Sequence, residues 1–121
     1  MMFSKLGLVI LSLFLLSCST STEVNDEVWL SQEANSLSIH NETHNRIYYM
    51  VLESEFAALV DWAPGFNGPF IEGGKFANVS FEDIDNGKEE PVQTGDHIMF
   101  WWWTAEHMEN PKVHFESITI K

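Results

Sequence analysis

Cysteine is almost absent from this 121-residue chain: Cys18 is the only one. The sequence beyond it therefore has no internal disulfide, no thiolate metal ligand and no cysteine nucleophile. Basic residues are scarce too, with 6 Lys and Arg against 18 Asp and Glu and a formal net charge of −12. That balance argues against nucleic acid, because binding phosphates needs a basic face that displaces counterions. No GxSxG, HExxH or P-loop sequence occurs, so catalysis has no motif behind it and the chain is expected to be neither an enzyme nor a cofactor carrier. No apolar run reaches the ~20 residues a membrane-spanning helix requires.

The longest apolar run, residues 6–16, follows Lys5 and ends at Ser17 and Cys18, with the small polar residues 19–22 behind it. A short positive region, an apolar core of this length and a small residue before the cut describe an export signal. Leu15, Ser17 and Cys18 resemble the lipobox of bacterial lipoproteins; Leu16 stands where that motif more often has a smaller residue. The resemblance implies that residues 1–17 are removed and that Cys18 receives diacylglycerol, which anchors the protein in the bacterial cell envelope. Ser19 occupies the position where Asp often marks inner-membrane retention in such proteins, so the resemblance favours the outer membrane.

The chain beyond Cys18 has the length of one domain with a modest core. Residues 18–36 read as an acidic tether whose one apolar run is Val28, Trp29 and Leu30, a possible small docking element. Residues 37–121 read as the folded domain. Its acidity sets it against anionic head groups, so it is expected to stand off the membrane on its tether.

Strand signals separated by turns fill this domain, with no long helical period. Leu37 and Ile39 alternate ahead of a polar turn at 41–45. Residues 46–53 are apolar at both parities, as expected of a central strand covered on both sides. Residues 53–62 fit either a helical turn or an edge strand before Pro64 and Gly65. A short run at 70–72, a turn at Gly73 and Gly74 and a strand over 75–81 come next. The acidic stretch 82–96 reads as a long surface connection. Residues 97–104 form the strongest strand, and 112–121 the last. In that last strand Val113 and Phe115 share one parity and Ile118 and Ile120 the other, which predicts a β-bulge near Glu116 and Ser117. Six or seven short strands without crossover helices point to an all-β fold, an antiparallel immunoglobulin-like β-sandwich.

The turn at Asn41, Glu42 and Thr43, the pair Tyr48 and Tyr49, residues 61–64 (Asp-Trp-Ala-Pro), residues 72–74 (Glu-Gly-Gly) and the pair Trp101 and Trp102 are similar to features of small bacterial secreted proteins and lipoproteins. This resemblance spans roughly residues 38–120. It implies a shared fold and transfers no catalytic or binding residue.

Three surfaces are candidates for function. On a strand, Trp101 and Trp103 project to one face and Trp102 to the other, so two rings about 7 Å apart can form a stacking platform for sugars or a partner, extended by Trp62, Tyr48 and Tyr49. The competing use of these rings is to fill the core, since exposed apolar patches are uncommon. His107, Met108 and His114 flank the last turn, and imidazole with thioether sulfur suits copper, although their spacing matches no metal motif. Residues 83–87 begin like a calcium loop, but Gly87, Lys88 and Thr94 fill positions that need an oxygen ligand, a glycine and a glutamate. Asn41 and Asn78 open glycosylation sequons, which carry little weight in a bacterial protein. The leading expectation is a lipid-anchored binding or structural module that contacts an envelope protein or polymer. A metal-binding protein and a glycan binder are the alternatives.

Overall fold

The computed structural model describes residues 27–121; the signal segment 1–17, Cys18 and the tether up to residue 26 lie outside the described residues. Seven strands form two antiparallel sheets: β1 (Val28–Gln32), β2 (Ser36–Asn41), β3 (Ile47–Glu53), β4 (Phe70–Ile71), β5 (Lys75–Ser80), β6 (His97–Trp103) and β7 (His114–Thr119). One sheet has the order β1-β2-β5 and the other β4-β3-β6-β7. The expected all-β fold is thus what the chain adopts. The fourth strand lies beside β3, where variable-type immunoglobulin domains place their extra strand, and not beside β5 as in the constant type.

β1 corrects the domain boundary. Residues 28–32 lie inside the stretch read as tether, yet they pair in register with β2 from Val28↔Asn41 to Gln32↔Leu37. The cause is alternation over four residues: Val28 and Leu30 turn inward to the core while Trp29 and Ser31 turn outward. The folded unit therefore starts ahead of residue 37.

Side chains from both sheets meet in two clusters. Val28, Ile39, Ile47, Ile71 and Phe100 make one, with Ala77 and Tyr49 against it. Leu37, Phe81, Ile84, Val92, Ile98 and Ile120 make the other. The acidic connection 82–96 is thus more than a surface run, because Ile84 and Val92 pin it to the core.

β3 is central in its sheet, between β4 and β6. Its inward residues Ile47, Tyr49 and Val51 join the core, and Tyr48, Met50 and Leu52 face the other way. After it the chain makes one helical turn, α1 (Ser54–Ala57), and no edge strand. The Glu53 carboxylate caps that turn, accepting from the backbone N–H of Glu55 at 2.9 Å and of Phe56 at 3.0 Å. Residues 58–69 are then irregular up to β4.

The bulge expected near Glu116 is absent. β6 and β7 pair without interruption from His97↔Thr119 to Trp102↔His114. The parity conflict resolves because β7 carries apolar residues on both faces: Ile118 packs on the core while Phe115 stands on the outer face, exposed.

Asn41 fixes the end of the molecule where β1 begins. Its side chain is fully buried; the amide donates to the carbonyls of Asn45 (2.8 Å) and Ile71 (2.9 Å), and its oxygen accepts from the N–H and hydroxyl of Thr43. The β2–β3 turn and β4 are thereby held together. Gly73 sits so close to this turn that a Cβ would lie 2.8 Å from the Thr43 carbonyl oxygen.

Candidate functional site

Alternation along β6 places Trp101 and Trp103 on the outer face of the four-stranded sheet and Trp102 on the inner one. A band of rings crosses that outer face. Phe115 lies 5.7 Å from Trp101, Trp101 lies 4.9 Å from Trp62, and Trp62 lies 5.7 Å from Trp103. Trp103 is in register with Tyr48, which meets the edges of Phe66 and Phe70 at 5.1 and 6.1 Å. The irregular segment 58–69 supplies Trp62 and Phe66; Pro64, Gly65, Gly68 and Pro69 keep it out of regular structure and let it lie across the sheet as a strap. The Trp103 indole N–H donates to the Gly65 carbonyl at 3.0 Å, tying strap to sheet.

Three of the five rings expected in a platform are not available there. Trp103 is 3% and Tyr48 8% exposed, both covered by the strap. Tyr49 lies on the opposite face, against Phe100 at 6.3 Å, because it is adjacent to Tyr48 on a strand; its burial raises the phenol pKa. Trp62 and Trp101 are half-buried. The most open rings are two that strand parity alone did not single out, Phe115 at 53% and Phe70 at 47% exposure. Their signal was the outward position of single aromatics on short strands. Arg46 lies 4.1 Å above the Phe70 ring and pairs with Glu72 at 2.6 Å. That pairing raises the Arg46 pKa and lowers that of Glu72, so both stay charged.

A second aromatic row crosses the outer face of the three-stranded sheet. Trp29, His40 and Phe76 are in register on β1, β2 and β5. The Trp29 and His40 rings stack at 3.8 Å and the His40 and Phe76 rings at 5.5 Å. Trp29 is 37% and Phe76 59% exposed. The neighbouring rows are Ser31, Ser38 and Asn78, then Ser36 and Ser80. The Ser31 hydroxyl contacts His40 Nε2 at 3.1 Å, and the Ser38 hydroxyl donates to the Asn78 side-chain oxygen Oδ1. No Asp, Glu, Lys or Arg projects from these strands on this face. Reading 18–36 as a tether hid it.

His107 and His114 line one cleft of about 330 Å³ beside Trp102, with Glu27, Glu106 and Lys112. Met108 is exposed and does not line it. The His114 ring stacks on Trp102 at 4.0 Å, and desolvation followed by the nearby Lys112 charge lowers its pKa. Among the described residues no group of three or more His, Cys, Asp and Glu side chains gathers as a metal site. His107 and His114 thus share a cleft with Lys112, and Met108 stays outside it. In the acidic loop Asp85 accepts from the Gly87 N–H and Asn86 from the Lys88 N–H, so those oxygens cap backbone. The Asn41 sequon is closed by burial of its amide.

Comparison with protein-family models, with curated proteins and with solved structures gives no match to this chain, so its geometry alone carries the functional reading.

Proposed function

We propose that this chain is a lipid-anchored, non-catalytic module of the bacterial cell envelope that binds an envelope protein or polymer through the aromatic band on its four-stranded sheet. The observation that carries this reading is the band itself: Phe70 and Phe115 stand open at its two ends, with half-buried Trp62 and Trp101 between them. Exposed aromatics next to packed ones are the usual anchors of an interface, since they bury large apolar area with little loss of side-chain freedom. Trp103 is withdrawn from such a contact and serves to hold the strap.

Anchoring rests on Cys18 and the lipobox resemblance, with the outer membrane as the favoured site. Replacing Cys18 by Ser should move the protein from the membrane to the soluble fraction. Retention of that variant, together with an unmodified Cys18 in the wild type, would remove the anchor from the proposal. Binding is tested by capture from envelope extracts, with bound proteins and glycans identified. The Phe70→Ser, Phe115→Ser double variant should lose whatever the wild type retains while keeping its circular dichroism spectrum. Unchanged retention by that folded variant would sink the aromatic-band reading.

A further inference from the structure

The three-stranded sheet presents its aromatic row at the end where the chain arrives from Cys18. Trp29 is the second residue of β1, and nine residues separate Cys18 from Val28. The steps between them span at most about 35 Å when fully extended. A diacylated Cys18 would thus keep Trp29 and Phe76 within reach of the bilayer surface at all times, at a high effective concentration that makes a weak contact count.

Charge selects the same end. No acidic side chain projects from the strands of the Trp29 face, in a chain with 18 acids. The acidic connection starts beside Asn35, where the Phe81 N–H donates to the Asn35 carbonyl, at the opposite end of β2 from Asn41. Five strand rises put those ends roughly 16 Å apart, about two Debye lengths at physiological salt. Lys75, Arg46 and Lys112 lie at the Trp29 end with Glu27, Glu42, Glu72 and Glu106, so this end is only mildly acidic, whereas residues 82–96 hold six acids and one lysine. An anionic leaflet therefore repels the far end of the domain more strongly than this one.

Trp favours the head-group level of a membrane, where its ring meets both apolar and polar surroundings, and Phe is an apolar side chain that enters just below it. Here the rings stand on edge, stacked face to face with His40 between them. His40 covers one flat face of each outer ring, and the ring edges are left to enter the interface. We infer that the Trp29–His40–Phe76 row is a membrane contact: the anchored domain rests this end on the lipid surface of its own leaflet, turning the acidic connection away from it. This inference depends on the lipid anchor proposed above and alters the expectation that an acidic domain only stands off the membrane.

The test uses the full lipidated protein, purified from membranes and placed in phosphatidylethanolamine–phosphatidylglycerol vesicles whose acyl chains carry bromine. The mass of Cys18 is measured on the same sample. Bromine should quench part of the tryptophan fluorescence, and Trp29→Phe should abolish that quenching. Phe76→Glu keeps the Trp29 fluorophore, alters an exposed side chain, and should also abolish it by bringing a carboxylate to the lipid. A lipidated Cys18 without quenching, or quenching that survives both variants, overturns the contact and leaves the anchor standing. An unmodified Cys18 overturns both. Sedimentation of the detergent-solubilised protein as a dimer that Phe76→Glu dissociates would also overturn it, since a second copy would then cover the row.

Discussion

The indole N–H of Trp103 donates to the backbone carbonyl of Gly65 at 3.0 Å, so the most buried ring of the aromatic band is also the clasp that holds residues 58–69 against the sheet. Phe in place of Trp103 keeps an aromatic ring but removes the donor and part of the ring volume. A loss of about 1–3 kcal/mol in urea unfolding is expected. Hydrogen exchange should accelerate in residues 58–69 more than in β2 or β5. Uniform acceleration would mean that the strap is not separately held.

Asn41 makes a different kind of tie. Its side chain is fully buried and makes four hydrogen bonds, which bind the β2–β3 turn to β4. Asn41→Ala removes one donor from each of the carbonyls of Asn45 and Ile71, of which the first keeps the Thr43 hydroxyl at 3.0 Å, and opens a small void. The expected cost is on the order of 2–4 kcal/mol, read as a lowered midpoint in thermal or urea unfolding. A variant as stable as the wild type would show that the turn holds itself.

His114 gives the fold a pH dependence of defined sign. Its folded pKa lies below the ordinary 6.5, through desolvation first and Lys112 second. Between the folded and ordinary values the unfolded chain binds the extra proton, so stability rises with pH across that window. The contribution is complete above about 6.5 and is lost as pH falls toward the folded value. His114→Gln should flatten the rise of stability over this range, measured by urea unfolding at several pH values. An unchanged slope would assign the dependence to other groups.

Much of the sheet structure was legible because strand alternation is a local property. Leu37 and Ile39, the two-sided apolar run around Met50, and the split of Trp101 and Trp103 from Trp102 all come from parity. Two readings fail for different reasons. A single apolar face assumed for β7 suggests a bulge there, where Phe115 and Ile118 in fact serve opposite faces. Val28 and Leu30 fall in the tether because a five-residue edge strand among acids carries a weak composition signal. The site was less legible still. Trp103 and Tyr48 lie under a strap whose course depends on Pro64, Gly65 and a bond to a residue 38 positions away, and no local pattern encodes that contact. His107 and His114 meet at one cleft through loop geometry, while Met108 between them turns out to solvent.

The position of β1 also determines how the molecule bears load. The described chain enters the sheet at Val28, and β1 lies against β2 over five consecutive pairs. Tension applied to Val28 along the strand axis, with the body of the domain held by a partner, pulls β1 lengthwise past β2. The pairs from Val28↔Asn41 to Gln32↔Leu37 then resist in parallel instead of peeling open one after another. A short edge strand that looks like the weakest part of the sheet is thus oriented as a shear joint between the domain and whatever holds its N-terminal chain.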